Sequence, residues 1–325
     1  MFQKQLMMRR VVYSLIPIFL FSVYLYGWRP AVVAALVFAL GISTEYVMIR
    51  GFPFFRKNKD GGVSGKKPRK KVSEAVLVTC ALFSLAMPPG VPLWVAAAGI
   101  IFAVLMGKGV YGGFGRNVFN PAITGRLFIY IAFPTVLANA WMTPGAFGTG
   151  LELAAATAIE GVTGATPLAM MREGMLPEFW KMFVGFRSGS MGESSALLII
   201  LAAVYLIHTK TANWKIMLST LVSAALFSAI FFLTDLSPIP PHYAMVSGSI
   251  LFVAVFMTTD PVSAPNKPMA QWIYGALIGA VAMVIRTFSA FPEGTSFGIL
   301  IGNTFASLID EMVPKKKKAK RRVKA

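Results

Sequence analysis

Ten apolar segments constrain the fold of this chain more than any other feature of its sequence. They are Val11–Tyr26, Ala31–Ile49, Ala75–Met87, Leu93–Met106, Ala122–Leu137, Ser195–Ile207, Ile216–Leu233, Ala244–Met257, Trp272–Ile285 and Phe297–Ile309. Apolar residues make up 56% of the chain and charged residues 14%, against about 45–50% and about 25% in globular proteins. We therefore predict an all-α polytopic membrane protein with about ten transmembrane segments. This composition excludes a disordered chain, a secreted mini-protein and an ordinary cytosolic enzyme.

Several segments are too short to cross a membrane as one straight helix. A span needs about 20 residues, with a range of about 17–25, whereas the third and fourth segments have 13 and 14. The third segment ends at Met87-Pro88-Pro89-Gly90, and the eighth is followed by Thr259-Asp260-Pro261-Val262-Ser263-Ala264-Pro265. Backbone groups freed at such breaks must be enclosed by protein, because lipid cannot hydrogen-bond to them. The pattern predicts broken half-helices.

The two halves of the sequence have similar stretches at corresponding positions. Glycine- and proline-rich stretches lie close to segments five and ten, and others end segment three and follow segment eight. We interpret this as two five-helix repeats, which are inverted because each has an odd number of spans. The predicted units are a first repeat at 1–137, a loop at 138–194, a second repeat at 195–313 and a basic tail at 314–325.

Basic residues are concentrated in two runs, with nine between Arg50 and Lys71 and eight between Lys315 and Lys324. If the N-terminus is inside and ten spans alternate, the inside loops hold 25 basic residues and the outside loops five. This asymmetry follows the positive-inside rule. We predict a multi-pass protein of the bacterial inner membrane, with both termini in the cytoplasm and the 138–194 loop on the outer face. The basic runs flank apolar segments, which favours contact with anionic lipid over nucleic-acid binding.

Cysteine and histidine are too few for a metal site. Cys80 is the sole cysteine, so the chain alone supplies neither a disulfide within itself nor an iron–sulfur cluster. His208 and His242 lie at opposite ends of one predicted span, which argues against a metal pair. We predict no metal ligands, and iron–sulfur centres would have to come from other subunits.

A glycine- and threonine-rich motif lies in the 138–194 loop. It reads Glu160-Gly161-Val162-Thr163-Gly164-Ala165-Thr166-Pro167-Leu168. Its glycines permit close approach of the backbone to a ligand, and Thr163 and Thr166 supply hydroxyls three residues apart. On the residues alone it is either a covalent attachment or phosphate-binding turn, or an ordinary Gly/Thr turn.

Four motifs in a fixed order, together with the ten apolar segments, resemble the NqrB/RnfD family. They are Gly112-Gly113-Phe114-Gly115-Arg116-Asn117-Val118-Phe119-Asn120-Pro121-Ala122, Thr163-Gly164-Ala165-Thr166-Pro167-Leu168, Thr259-Asp260-Pro261-Val262-Ser263-Ala264 and Phe291-Pro292-Glu293-Gly294. The family comprises the flavin-carrying membrane subunits of the Na⁺-translocating NADH:quinone oxidoreductase and of the Rnf ferredoxin:NAD⁺ oxidoreductase. The resemblance covers nearly the whole chain.

The resemblance implies a cofactor and its attachment residue. In the family the last threonine of the motif, here Thr166, carries FMN through a phosphoester bond made by a separate flavin transferase. Thr163, Gly164 and Ala165 would shape the attachment turn. The family's Asp-Gly opening is Glu160-Gly161 here, which keeps the charge. A second, non-covalent flavin, riboflavin or FMN, is also implied, at residues that the sequence does not identify.

The resemblance also implies partners and a reaction. The chain would be one subunit of a redox-driven Na⁺ or H⁺ translocase that includes iron–sulfur and NADH-binding subunits. It would relay electrons and supply no catalytic residue of its own. The family's quinone-reducing branch usually has a longer N-terminal extension than this chain, whereas MMRRVVYSL and PPGVPLW look more like that branch, so Rnf and Nqr both stay open.

A solute channel is the alternative function, because Asn120-Pro121-Ala122 resembles a motif of water channels. The motif occurs once, and Asn120 and Pro121 also suit the N-cap and first turn of a helix. The Thr166 motif favours the flavoprotein, since a channel needs no flavin attachment residue.

Acidic residues in or near the apolar segments are candidates for an ion path, because intramembrane charges are costly and are usually functional or paired. These candidates are Glu45, Glu74, Asp260 and Asp310. The structural alternatives are an ion pair between Glu45 and Arg126, and a helix cap at Asp260.

Overall fold

Helices form almost all of the regular structure in the computed structural model, which describes residues 2–50, 72–145, 166–289 and 294–314. Within these ranges the strands are Phe2–Gln3 (β1) and Val72–Ser73 (β2), which pair in parallel and hold the N-terminus against the start of the third helix. The all-α prediction is confirmed.

In the first two described ranges, 2–50 and 72–145, six helices are present, several of them short. They are α1 (Leu6–Tyr26), α2 (Arg29–Arg50), α3 (Ala75–Leu85), α4 (Leu93–Val104), α5 (Pro121–Ala132) and α6 (Pro134–Ala138). A π-helical segment, Leu105–Gly109, continues α4.

The described ranges 166–289 and 294–314 contain eight more helices. They are α7 (Pro167–Arg172), α8 (Phe179–Val184), α9 (Ala196–His208), α10 (Trp214–Leu233), α11 (Pro241–Val246), α12 (Ile250–Phe252), α13 (Pro268–Phe288) and α14 (Gly294–Met312). A second π-helical segment, Val253–Met257, follows α12.

Four described helices, α1, α2, α10 and α13, are long and apolar enough to cross a membrane. Helix α3 has 11 residues, and at 1.5 Å per residue it covers about half of a 30 Å hydrocarbon core. The first of the following breaks is where the sequence predicts it, whereas the second lies inside the predicted apolar segment Ala244–Met257. The proline pair Pro88-Pro89 separates α3 from α4, and Ser247-Gly248 separates α11 from α12, with a φ of +67° at Gly248.

The helices pack as two groups. In one group α2, α3, α4 and α5 contact one another, and in the other α13 contacts both α10 and α14. Contacts of α1 with α9 and of α5 with α14 join the groups. A continuous core that includes Phe83, Ile100 and Tyr274 runs through both. This grouping is compatible with two repeats, while their inversion and the number of membrane crossings stay predictions.

Close contact in the second group depends on glycine. A Cβ at Gly279 of α13 would lie 2.4 Å from the carbonyl oxygen of Thr220, and one at Gly275 would lie 2.8 Å from that of Ile216. A Cβ at Gly298 of α14 would lie 2.9 Å from the carbonyl oxygen of Ile278. Glycines four residues apart allow helix backbones to approach closely inside a membrane.

Candidate functional site

Thr166 is the N-cap residue of α7. Its backbone is extended, its Oγ1 accepts a hydrogen bond from the N–H of Ala169 at 3.3 Å, and Pro167 occupies the first turn. Threonine is a preferred cap because its oxygen satisfies a free N–H of the first turn, and proline suits the position that follows. Thr163, Gly164 and Ala165 lie outside the described residues.

Thr166 borders a cavity to which segments far apart in the sequence contribute. Its lining includes Arg126 of α5, Arg187 and Glu193 of the loop before α9, Gly248 of the break before α12, and Arg286 of α13. We call this the arginine cavity. The three arginines are between 1% and 6% exposed.

Each arginine is held in place by hydrogen bonds. Arg126 pairs with the Glu193 carboxylate at 3.2 Å. Arg187 donates to the carbonyl oxygens of Val246 and Glu193. Arg286 donates to the Ala244 carbonyl at 3.0 Å and to the carbonyl and hydroxyl of Ser247 at 2.8 Å and 2.7 Å. These bonds tie the cavity wall to the break between α11 and α12.

The charge of the arginine cavity suits a phosphate group. Among its described lining residues, arginines outnumber acidic residues by three to one. Guanidinium groups in a low-dielectric site bind phosphate through charge-assisted hydrogen bonds. Burial lowers the pKa of Arg187 from its ordinary value, which shows the cost of a buried cation that an anion would offset.

Glu45 does not pair with Arg126, which corrects one expectation from the sequence. Glu45 instead accepts a hydrogen bond from Lys108 Nζ at 2.6 Å, and both side chains are buried. Glu45 lies near the end of α2, which packs against the π-helical segment that carries Lys108. Arg126 lies on α5 and faces the loop before α9, so its partner is Glu193.

The other three acidic candidates also have partners. Glu74 accepts from Arg9 at 2.5 Å and from the N–H of Gln5 at 2.6 Å. The hydrogen bonds from Arg9 hold the pKa of Glu74 below its ordinary value.

Asp260 caps the turn that follows it, by accepting from the N–H of Val262 and the hydroxyl of Ser263, both at 3.1 Å. Asp310 accepts from the N–H groups of Asn266 and Lys267 at 3.2 Å and 2.8 Å. The contacts of Asp260 are therefore those of a cap, the structural alternative that the sequence offered for it. In the described ranges no three His, Cys, Asp or Glu residues are grouped as metal ligands would be.

A second and more apolar cavity lies among α1, α3, the start of α5 and the second π-helical segment. Its lining includes Thr79, Lys108, Asn120, Phe256 and Asp260. We call it the Asp260 cavity. Its volume is about 70 Å³, which is below the range of about 300–1,000 Å³ of small-molecule sites.

Asn120 is the N-cap of α5, as the sequence predicts. Its Oδ1 accepts from the N–H of Ala122 at 3.0 Å. The structure adds a contact that the sequence does not reveal, because the backbone N–H of Asn120 donates to Oδ1 of Asn303 at 3.1 Å. Asn303 in turn donates to the hydroxyl of Tyr274 at 2.7 Å. This chain of hydrogen bonds joins the two helix groups.

Four residues of these sites, Arg187, Arg286, Glu193 and Asn303, were not predicted from the sequence. Arg187 and Arg286 are two of the five basic residues that the loop-charge count places in outside loops. The signal that could have identified Arg286 is its place at the end of an apolar segment, since buried arginines are rare without a function.

Residues 2–319 match the family described as "NQR2, RnfD, RnfE family". Among curated relatives, a subunit of the Na⁺-translocating NADH-quinone reductase from Azotobacter vinelandii is 39% identical over 255 residues, which cover 75% of this chain and 61% of the relative. The corresponding subunit from Chromohalobacter salexigens is 36% identical over 307 residues, which cover 87% of this chain and 71% of the relative.

The chain thus spans about three fifths of the length of the first of these relatives. The family match extends over both helix groups and over all four sequence motifs. Together with the apolar helices it identifies an integral membrane protein, and the chain belongs to the NQR2, RnfD, RnfE family.

Proposed function

We propose that this chain is the membrane subunit of an ion-translocating electron-transfer complex of the Nqr or Rnf type, and that it relays electrons through FMN esterified to Thr166. The observation that carries the proposal is the position of Thr166. The last threonine of the motif begins a helix at the border of a cavity lined by buried arginines. The relatives, named as subunits of a Na⁺-translocating NADH-quinone reductase, support the same function.

The contacts of Thr166 are compatible with esterification. Its hydroxyl oxygen accepts the cap hydrogen bond from Ala169, so this bond does not use the hydroxyl proton. Attachment would form a bond from Oγ1 to phosphorus, release that proton and expel the remainder of a dinucleotide donor. The ester oxygen keeps lone pairs, so the cap can persist. FMN supplies redox chemistry when bound, and the protein sets its position and electrostatic environment.

The proposal also includes a second, non-covalent flavin, riboflavin or FMN, and assigns it no residues. The Asp260 cavity, at about 70 Å³, is smaller than the usual range of small-molecule sites. Glu45, Glu74, Asp260 and Asp310 remain candidates for coupling to Na⁺ or H⁺. The proposal further includes iron–sulfur and NADH-binding partner subunits, a flavin transferase, and an inner-membrane location with both termini in the cytoplasm.

The test is co-expression with a flavin transferase, followed by intact mass measurement and in-gel fluorescence of the denatured chain. Wild-type protein should carry the FMN mass and fluoresce, because a covalent flavin survives denaturation. Thr166→Ala should lose both signals, whereas Thr166→Ser should retain part of them since it keeps a hydroxyl.

Thr163→Ala is the matched control, because it removes a neighbouring threonine hydroxyl and should keep at least part of the label. Full labelling of Thr166→Ala would show that the attachment residue is wrong. A wild-type chain without any covalent flavin would favour the solute-channel alternative.

A further inference from the structure

Two of the arginines in the arginine cavity form no ion pair in the part of the chain that the structure describes, although the charge of the Glu193 carboxylate acts on both. The ion pairs found there include Arg126 with Glu193, but none involves Arg187 or Arg286 at a distance of 4.0 Å or less. Both side chains are 6% exposed. Backbone carbonyls and one serine hydroxyl hold them, and these groups carry no formal charge.

Their remaining donors suit an oxyanion. A guanidinium has five N–H donors in a fixed planar arrangement that matches phosphate. The bonds described for Arg187 use two donors and those for Arg286 use three. Donors are therefore left over on two neighbouring cations, both of which line the cavity that Thr166 borders.

Two glycines, Gly189 and Gly248, contribute to the lining of the arginine cavity without adding side chains. At Gly248, where φ is +67°, a Cβ would lie 2.9 Å from Nη2 of Arg286. At Gly189 a Cβ would meet no atom within 4 Å, so this part of the cavity lining is open. Bulkier residues at Gly248 would press on Arg286 and would also strain the backbone.

We propose that Arg187 and Arg286 form a phosphate seat that holds the phosphodiester of a flavin esterified to Thr166, and that binds a phosphate group on its own when Thr166 is unmodified. The identity of the natural ligand rests on the proposed function, whereas the binding of phosphate rests on the cavity alone. The two arginines are positioning residues, because they fix the ester and through it the flavin.

The experiment uses the full chain in lipid-depleted detergent, in its unflavinylated and flavinylated forms. Unfolding is followed with a thiol-reactive dye, because Cys80 is the sole cysteine and is buried in the fold. Inorganic phosphate is the probe, and chloride at equal ionic strength is the control. Phosphate should raise the thermal midpoint of the unflavinylated Thr166→Ala chain by a few degrees, and should leave the flavinylated wild-type midpoint unchanged because its seat is filled.

Three variants in the Thr166→Ala chain assign the effect to the seat. Arg286→Gln should raise the phosphate concentration that gives half of the shift by about tenfold or more. Gly189→Asp, at a position with open space, should weaken the response by adding a negative charge, and it keeps the test valid if Arg286→Gln does not fold. Arg172→Gln is the matched control, because Arg172 also contacts the Arg286 backbone but does not line the cavity.

The proposal is overturned if phosphate gives no more shift than chloride, or if Gly189→Asp and Arg172→Gln respond alike. A shift with phosphatidylglycerol but not with inorganic phosphate would assign the cavity to a lipid headgroup and also overturn it. A chain that the transferase labels, but whose unflavinylated form is not stabilised by phosphate, would contradict the phosphate seat and leave the proposed function intact. A chain that binds phosphate but is never labelled contradicts the proposed function alone.

Discussion

Removal of the buried Asn303 side chain should cost more free energy than the loss of one hydrogen bond. It is 2% exposed and accepts from the backbone N–H that precedes Pro121 at the start of α5. The buried N–H of Asn120 has no other acceptor among the described contacts. Its hydrogen bond therefore depends on Asn303, which lies 183 residues further along the chain. A buried donor without an acceptor costs its full desolvation free energy.

Asn303→Leu should therefore lower the free energy of unfolding by about 1–3 kcal/mol, since it leaves that N–H unpaired and also frees the Tyr274 hydroxyl. The control is Thr304→Ala, which removes an exposed hydroxyl bonded only within its own helix and should change the value by less than about 0.5 kcal/mol. Thermal unfolding of both variants in detergent measures the difference, and equal midpoints would contradict the argument.

The Arg9–Glu74 pair should make stability depend on pH in a defined direction. The pKa of Glu74 is lower in the folded chain than its ordinary value because Arg9 and the Gln5 N–H bind the carboxylate. The stabilisation is thus complete above the ordinary carboxyl pKa and is lost as the pH falls through the lowered value.

Arg9→Gln should be less stable than wild type at neutral pH, and the gap should close in acid. Thermal midpoints across an acid-to-neutral series measure this. Arg10→Gln removes a hydrogen bond to the Thr209 carbonyl and no described carboxylate contact, so its gap should not vary with pH. A constant gap for Arg9→Gln would exclude the pair as the source.

At the scale of elements, the breaks in the helices decide where polar backbone and charges can meet. The stretch between α11 and α12 turns Ser247 towards Arg286, and the π-helical segment after α4 brings Lys108 to Glu45. Short helices leave backbone groups that only protein contacts can satisfy in a membrane. The long helices α10, α13 and α14 are different, because glycines bring their backbones together.

Gly279→Ala should force α10 and α13 apart, because the new Cβ would lie 2.4 Å from the Thr220 carbonyl oxygen. Overpacking of this kind costs about 1–3 kcal/mol. Ala276→Leu, at an exposed position of the same helix, is the control and should change stability little. Unfolding midpoints in detergent would measure both, and a Gly279→Ala midpoint at the wild-type value would refute the close contact.

At the scale of the whole molecule, the arrangement of the helices across the membrane is a prediction from loop charge. Reporter fusions after Lys71, Lys210 and Lys267 should report the cytoplasm, and fusions at Glu173 and Ser237 the outer side. These positions alternate if an odd number of spans separates each pair of neighbours, as the ten-span topology requires. A cytoplasmic signal at Glu173 would contradict both the ten-span topology and the placement of the flavin on the outer face.

The sequence by itself determined the class of protein, the helix break at Pro88-Pro89, the N-cap at Asn120 and the resemblance that singled out Thr166. These features depend on local composition and on the hydrogen-bonding needs of nearby backbone, which residues close in sequence express.

Only the tertiary structure decided which charges meet. Lys108 and Glu45 are 63 residues apart, and Arg126 and Glu193 are 67 apart. Such partners depend on the rotation and offset of packed helices, and a sequence without an alignment carries no measure of either. The arginine cavity has the same origin, because its walls come from the loop before α9, the break before α12 and four separate helices, α5, α7, α13 and α14.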